Sequence, residues 1–210
     1  MTSARSGYLD KIQKLHHSFV LLRREDVLAR GIASILPSGV QSALDVGCGD
    51  GIIAHAVAEQ TPGLQMQGVE VLDRKTCRIS YALFDGKTLP FPDRYFDFVE
   101  LVDVLHHTEN IEDLVGECAR VSRGHVVIKD HIWSNRLDFA ILRFMDWVGN
   151  RAYGVNLIYN YQKKSQWLQI FKRRGLEVSQ WNQEIGLYPF PFNLVFEKGK
   201  HFIVLLSKAG

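Results

Sequence analysis

The chain has 210 residues, 46% of them hydrophobic and 23% charged, which suits a single soluble domain with a core of ordinary size. A formal net charge of +2 gives no electrostatic case for nucleic acid, and the three cysteines (Cys48, Cys77, Cys118) have neither metal-ligand nor redox spacing. No basic-then-apolar leader and no apolar run near the ~20 residues that span a bilayer is found, so a cytoplasmic setting with reduced thiols is expected.

In chain order, Leu9, Ile12, Leu15, Phe19 and Leu22, then Leu28, Ile32 and Ile35, recur at helical spacing and predict one or two helices over residues 7–36. Pro37-Ser38-Gly39 stops them. Ala43 to Val46 reads as a strand running into Gly47-Cys48-Gly49-Asp50-Gly51, after which Ile52, Ile53, Ala56 and Val57 mark a helix ended by Pro62-Gly63. Residues 65–71 and 79–84 read as two further strands, and 96–102 as a fourth of the kind buried on both faces.

Asn110 is placed to cap the next helix, with Glu112 and Asp113 in its first turn, where the helix dipole favours carboxylates. Gly124 is expected to stop it before a fifth strand over 125–129. Leu137, Ile141, Phe144, Met145 and Val148 mark another helix, followed by an aromatic, asparagine-rich stretch from Tyr153 to Tyr161. Ser165 reads as the cap of a helix through Phe171, and residues 176–181 and 201–207 as a closing strand pair. Tyr188-Pro189-Phe190-Pro191-Phe192 is too proline-rich for an inner strand. Strands alternating with helices predict an α/β, doubly wound parallel sheet.

The glycine turn carries the chemistry. Glycines at alternate positions let backbone approach a ligand at a helix N-terminus. A dinucleotide fingerprint reads GxGxxG and cradles an anionic pyrophosphate. Here the spacing is GxGxG, with Asp45 before the turn and Asp50 within it, which suits a cationic ligand better. Glu70 follows Gly51 by 19 residues at a strand end, where a carboxylate can accept from both ribose hydroxyls. Asp85-Gly86 follows the third strand, where an acid can accept from an adenine amino group.

The run Ala43-Leu44-Asp45-Val46-Gly47-Cys48-Gly49-Asp50-Gly51, with Asp85-Gly86, Leu89-Pro90-Phe91 and Phe96-Asp97-Phe98-Val99 behind it, resembles the class I S-adenosylmethionine-dependent methyltransferases. The likeness is broadest to the ubiquinone/menaquinone-biosynthesis-like, type 11-like branch, and covers roughly residues 41–129. It implies a Rossmann-like seven-stranded sheet, mostly parallel with an antiparallel C-terminal strand, and S-adenosylmethionine as cofactor. By resemblance, Asp45, Gly47, Cys48, Gly49, Asp50 and Gly51 shape the turn around the methionine moiety. Glu70 holds the ribose, Asp85 and Gly86 the adenine, and Asp103 lies near the amino-acid end. Arg23 or Arg24 is the candidate counter-charge for the cofactor carboxylate.

The expected organisation is one methyltransferase domain over 1–210: an N-terminal helical cap (1–36), a cofactor-binding core (41–131), and a helical, aromatic insertion on the substrate side (132–200). Candidate proton acceptors at the strand ends are His106, His107 and His131, with Lys129 and Asp130 beside them and His16 and His17 on the first helix. Their spacing does not recommend a metal site. The aromatic density of Trp133, Phe139, Phe144, Trp147, Tyr153, Tyr159 and Tyr161 suggests a cap over an apolar or aromatic small-molecule acceptor. Arg136, Arg143 and Arg151 near tryptophans also permit peripheral contact with a lipid surface. The alternatives are a catalytically degenerate cofactor-binding protein and an NAD-dependent oxidoreductase, the latter disfavoured by the acidic flank of the turn. No Asn/Asp-Pro-Pro-aromatic segment and no Pro-Cys nucleophile points to a nucleic-acid substrate.

Overall fold

A computed structural model describes residues 23–150 and 157–209. The part of the N-terminal pattern before residue 23, with His16 and His17, and the segment holding Arg151 and Tyr153 lie outside the described residues.

In chain order the elements are α1 (23–33), β1 (Ser42–Val46), α2 (Ile52–Gln60), β2 (Gln65–Glu70), β3 (Ser80–Leu83) and β4 (Phe96–Val102). A 3-10 turn at Leu105–His107 leads to α3 (Ile111–Val121), β5 (Ser122–His131), α4 (Arg136–Asn150), α5 (Lys164–Arg173), β6 (Leu176–Asn182), α6 (Phe192–Phe196) and β7 (His201–Lys208). The strands form one seven-stranded sheet in the order β3-β2-β1-β4-β5-β7-β6. The first five are parallel, and β7 runs antiparallel between β5 and β6. This is the Rossmann-like order expected. The chain reverses direction across the sheet between β1 and β4, so the loops leaving those strands diverge and open a crevice at the carboxyl edge.

Alternate strand residues point to opposite faces, and both faces are covered. Leu44, Val46, Val99, Leu101, Val126 and Ile128 pack with Leu114, Val115 and Cys118 of α3 and Trp167 and Phe171 of α5. Ala43, Phe98, Val127 and Ile203 pack with Leu28 and Ile32 of α1 and Val57 of α2. The alternation interrupts this second face with Asp45, Glu100 and Lys129, all buried. These charged positions lie where the crevice forms.

Three local expectations change. The helix α3 ends at Val121, and Gly124 sits inside β5 rather than before it. There Ser122 Oγ accepts from the Gly124 and His125 amides at 3.1 and 2.9 Å, and the register with β4 shifts, so the glycine serves an irregularity within the strand. The helix α5 begins at Lys164; Gln166 reaches back to accept from the Lys163 amide at 2.8 Å, and Ser165 is not the cap. The proline-rich segment leads into the short helix α6, which periodicity did not predict.

Candidate active site

The glycine turn is pinned before it is opened. The Gly47 and Cys48 amides both donate to Val69 O of β2, at 2.8 and 3.1 Å. Gly47 has φ 75°, and a Cβ there would lie 2.7 Å from Val104, so both torsion and space require glycine. At Gly49, φ is 57° and an added Cβ would meet nothing within 4 Å, leaving bare backbone facing open space.

Glu70, buried at the end of β2, organises this backbone. Its Oε2 accepts from the Gly49 amide and from Arg74 Nη2, each at 2.9 Å. Its Oε1 accepts from the Val71 and Leu72 amides at 2.8 and 3.3 Å. Leu83, the last residue of β3, is the register partner of Glu70, so Asp85 falls on the neighbouring strand end. One Asp85 oxygen accepts from the Thr88 and Lys87 amides at 2.8 Å each, which lowers its pKa. Gly86 completes that turn with φ 76°. Leu89 and Phe91 are then fastened to α3: Glu117 accepts from the Leu89 amide, and Arg120 donates to both carbonyls.

Beneath the turn, Asp45 and Glu100 are direct register partners on β1 and β4. Burial, then the charges of Glu70 and Asp50, push Asp45 up to about 7. Burial and the Asp45 charge hold Glu100 well above the ordinary range, and neither of its oxygens has a hydrogen-bond partner among the described residues.

A second cluster lies past β4. Asp103 adopts φ 58°, a left-handed conformation uncommon for a residue with a Cβ. It is held there by ion pairs with Lys129 and, at 2.5 Å, with Arg24 of α1. Burial opposes its charge, but Lys129, His131 and Arg24 outweigh burial and hold it well below the usual carboxylate range. Arg24 is thereby engaged by a side chain, and Arg23 donates to Gly186 O at 3.0 Å.

The three candidate histidines differ in state. His106 is fully buried, with Nδ1 2.7 Å from Asp130 Oδ1 and Nε2 3.8 Å from Asp146. Burial disfavours its charge, yet Asp130 and Asp146 prevail and raise it to about 10. His131, at the end of β5, lies 3.3 Å from Asp130 and 3.6 Å from Asp103. Burial and the Lys129 charge nevertheless lower its pKa, leaving a neutral ring at pH 7. His107 lies 3.4 Å from Asp146 and is lowered by burial and by the His106 charge. Residues 160–167 close over this group. The Tyr161 ring stacks on His106 with centroids 5.2 Å apart, the Asn160 amide donates to His106 O, and Trp167 Nε1 donates to His131 O.

Asp103, His106, Asp130 and His131 offer ligand atoms all within 4.8 Å of one another, the geometry of a cation site. Its charges are nonetheless already matched: Asp103, Asp130 and Asp146 face Arg24, Lys129 and protonated His106. A divalent ion would have to expel the His106 proton. A polar depression of about 740 Å³ lies against α3 between Lys87, Thr88, Glu117 and Arg174, next to the Asp85 turn.

The glycine turn, Glu70, Asp85, Asp103, His106, His107 and His131 therefore share one edge of the sheet. Sequence reasoning missed Glu100, Arg74, Asp146 and His201. An acid in the buried middle of a mostly apolar strand was a readable signal for Glu100; Arg74, in the loop after β2, carried none. Asp146 on α4 and His201 at the start of β7, whose ring centroid lies 4.6 Å from that of His131, come from distant elements and carried no local signal.

Bare backbone at Gly49 beside a buried carboxylate fits a nucleoside cofactor with a cationic end. A pyrophosphate would meet Asp45, Asp50 and Glu70. Comparison with known proteins agrees. A family profile for a methyltransferase domain matches residues 20–180, and the chain belongs to that family. The seven-stranded order above is the fold of the class I S-adenosylmethionine-dependent methyltransferases.

Among relatives, it is 36% identical to the bifunctional methionine biosynthesis protein MetXA/MetW of Rhodopirellula baltica, over 46% of this chain but only 18% of that protein. It is 24% identical to the demethylmenaquinone methyltransferase of Thermotoga maritima, over 71% of this chain and 76% of that one. The chain spans less than half the length of the curated relatives it matches above 30% identity. In fold it is similar to an S-adenosylmethionine-dependent methyltransferase from Mesorhizobium loti, with TM-score 0.63 and 17% identity over 86% of this chain and 98% of that chain.

Proposed function

We propose that this methyltransferase acts on a small apolar or aromatic acceptor, held between the carboxyl edge of the sheet and the insertion at 132–200, with 41–131 as the cofactor-binding core and 1–36 as an N-terminal cap. The observation that carries this reading is the pairing of an open Gly49 backbone with Glu70, which binds that same peptide from below. Bound S-adenosylmethionine supplies an electrophilic methyl carbon. The glycine turn would align its methionine end, and Glu70 and Asp85 would hold the ribose and adenine. Catalysis then rests mainly on approach and alignment.

Where the acceptor must lose a proton, His131 is the proposed base. Its neutral ring sits at the strand end, oriented by Asp130, and His107 offers a second neutral ring. His106, carrying its charge between two carboxylates, is assigned instead to positioning the turn after β4. The quinone relatives make a flat, apolar ring the first acceptor class to try.

The test is calorimetry followed by turnover. S-adenosylmethionine or its demethylated product is expected to bind in the micromolar range and NAD not at all. Glu70→Ala is expected to weaken binding at least about tenfold with the fold intact, as loss of a charged hydrogen-bond partner does. Tight NAD binding without response to S-adenosylmethionine overturns the assignment.

A further inference from the structure

The segment that roofs the histidine cluster turns the usual amphipathic order inside out. On α4, Leu137, Phe144, Trp147 and Val148 are exposed, at 69%, 58%, 45% and 50%. On and before α6, which contacts α4, Phe190, Phe192, Leu194 and Val195 are exposed at 78%, 53%, 55% and 48%. Scattered exposed apolar side chains are ordinary, but seven on two touching helices, with Phe190 just before the second, form a patch of the kind that marks an interaction surface.

The charges of the same two segments are sorted by sign. Their acids are Asp138, Asp146 and Glu197, and all three turn inward. Asp138 pairs with buried Lys200 at 3.3 Å, and Asp146 lies against His107 at 3.4 Å. Glu197 accepts from the Gly186, Leu187 and Tyr188 amides. The basic residues Arg136, Arg143 and Lys198 are exposed beside the apolar rings. Arg143 also lies over the Tyr159 ring, 4.8 Å from its centroid. No acidic side chain of α4 or of residues 189–198 is exposed. A surface both apolar and purely cationic complements a bilayer interface bearing anionic headgroups.

We propose that α4 and α6 form a docking face for an anionic lipid surface, and that the methyl acceptor is drawn from that surface through the roof of the site. The docking half stands on the exposed residues alone; the acceptor half rests on the function proposed above. Asp146 joins the two, since it sits on the inner side of α4 against His106 and His107. No described helix is long and apolar enough to cross a membrane, so the contact is peripheral.

The full chain is to be co-sedimented with vesicles of phosphatidylglycerol and, separately, of phosphatidylcholine, with calorimetry of the demethylated cofactor run alongside. Binding to phosphatidylglycerol, weakened by salt and much weaker on phosphatidylcholine, is expected. The double variant Phe190→Ser/Phe192→Ser is expected to lose at least tenfold in vesicle affinity while binding the cofactor as the parent does. Arg143→Gln is expected to lose about fivefold on the anionic vesicles only. Equal binding of parent and double variant, or no binding to either vesicle, overturns the proposal. So does a concentration-dependent dimer that the double variant abolishes, because the face then belongs to a second copy. Loss of cofactor binding by the parent itself would count against the proposed function and leave the vesicle result readable.

Discussion

His106 and His131 lie with ring centroids 4.6 Å apart, yet they do opposite things. The first keeps its proton because two carboxylates outweigh the cost of burying the charge. The second gives its proton up because Lys129 adds to that cost. Removing them should therefore separate stability from chemistry. His106→Ala removes the cation that faces Asp130 and is expected to cost about 3–5 kcal/mol, read by urea unfolding at pH 7. The loss should be largest below pH 6.5 and shrink as pH rises toward 10, since a raised histidine pKa stabilises only while the folded state holds the proton. His131→Ala is expected to abolish turnover for acceptors that lose a proton and to cost less than half as much stability. A similar stability loss for both variants would contradict the division of roles.

Among the elements, legibility followed how local the cause was. The start of α3 was readable to the residue because its signals are its own. Asn110 accepts from the Asp113 amide at 3.2 Å, Glu112 and Asp113 occupy the first turn, and Ile111, Leu114, Val115 and Cys118 are buried. Asn110→Ala is accordingly expected to cost about 1 kcal/mol, measured by thermal unfolding. The helix α6 was not readable, because it is short, follows two prolines and buries none of its residues, so no period marks it. The start of β5 was misplaced because a glycine inside a strand irregularity looks, in sequence, like a helix stop. In the site, strand-end acids at family spacing were legible. The ion pairs that fix them were not, since Asp103 is held by Arg24 from α1 and Lys129 from β5.

Taken as a whole, the molecule concentrates its polar interior along one edge of an otherwise apolar sheet. Two charge systems sit side by side there. Past β4, anions and cations pair with one another; beneath the glycine turn, Asp45 and Glu100 are register partners, and no cation among the described residues pairs with either. The first is internally paired among the described residues. The second is incomplete, and its incompleteness has a direction, because only positive charge relieves it.

A proton held on a buried carboxyl beside a second one is a positive charge that can be traded. If the cationic cofactor settles above Asp45, the pair can release its proton, and binding becomes an exchange of one positive charge for another. With Asp45 at about 7, the affinity for S-adenosylmethionine is expected to climb between pH 6 and 7, by at most about tenfold per unit, and to level off by pH 8. Calorimetry in buffers of different ionisation heat should register up to one proton released per cofactor bound near pH 6. A binding heat independent of the buffer would mean that the pair keeps its proton. Loss of the methyl group turns the sulfonium into a neutral thioether, so the demethylated product is the poorer counter-ion. The strands beneath the turn would then take part in letting the spent cofactor go.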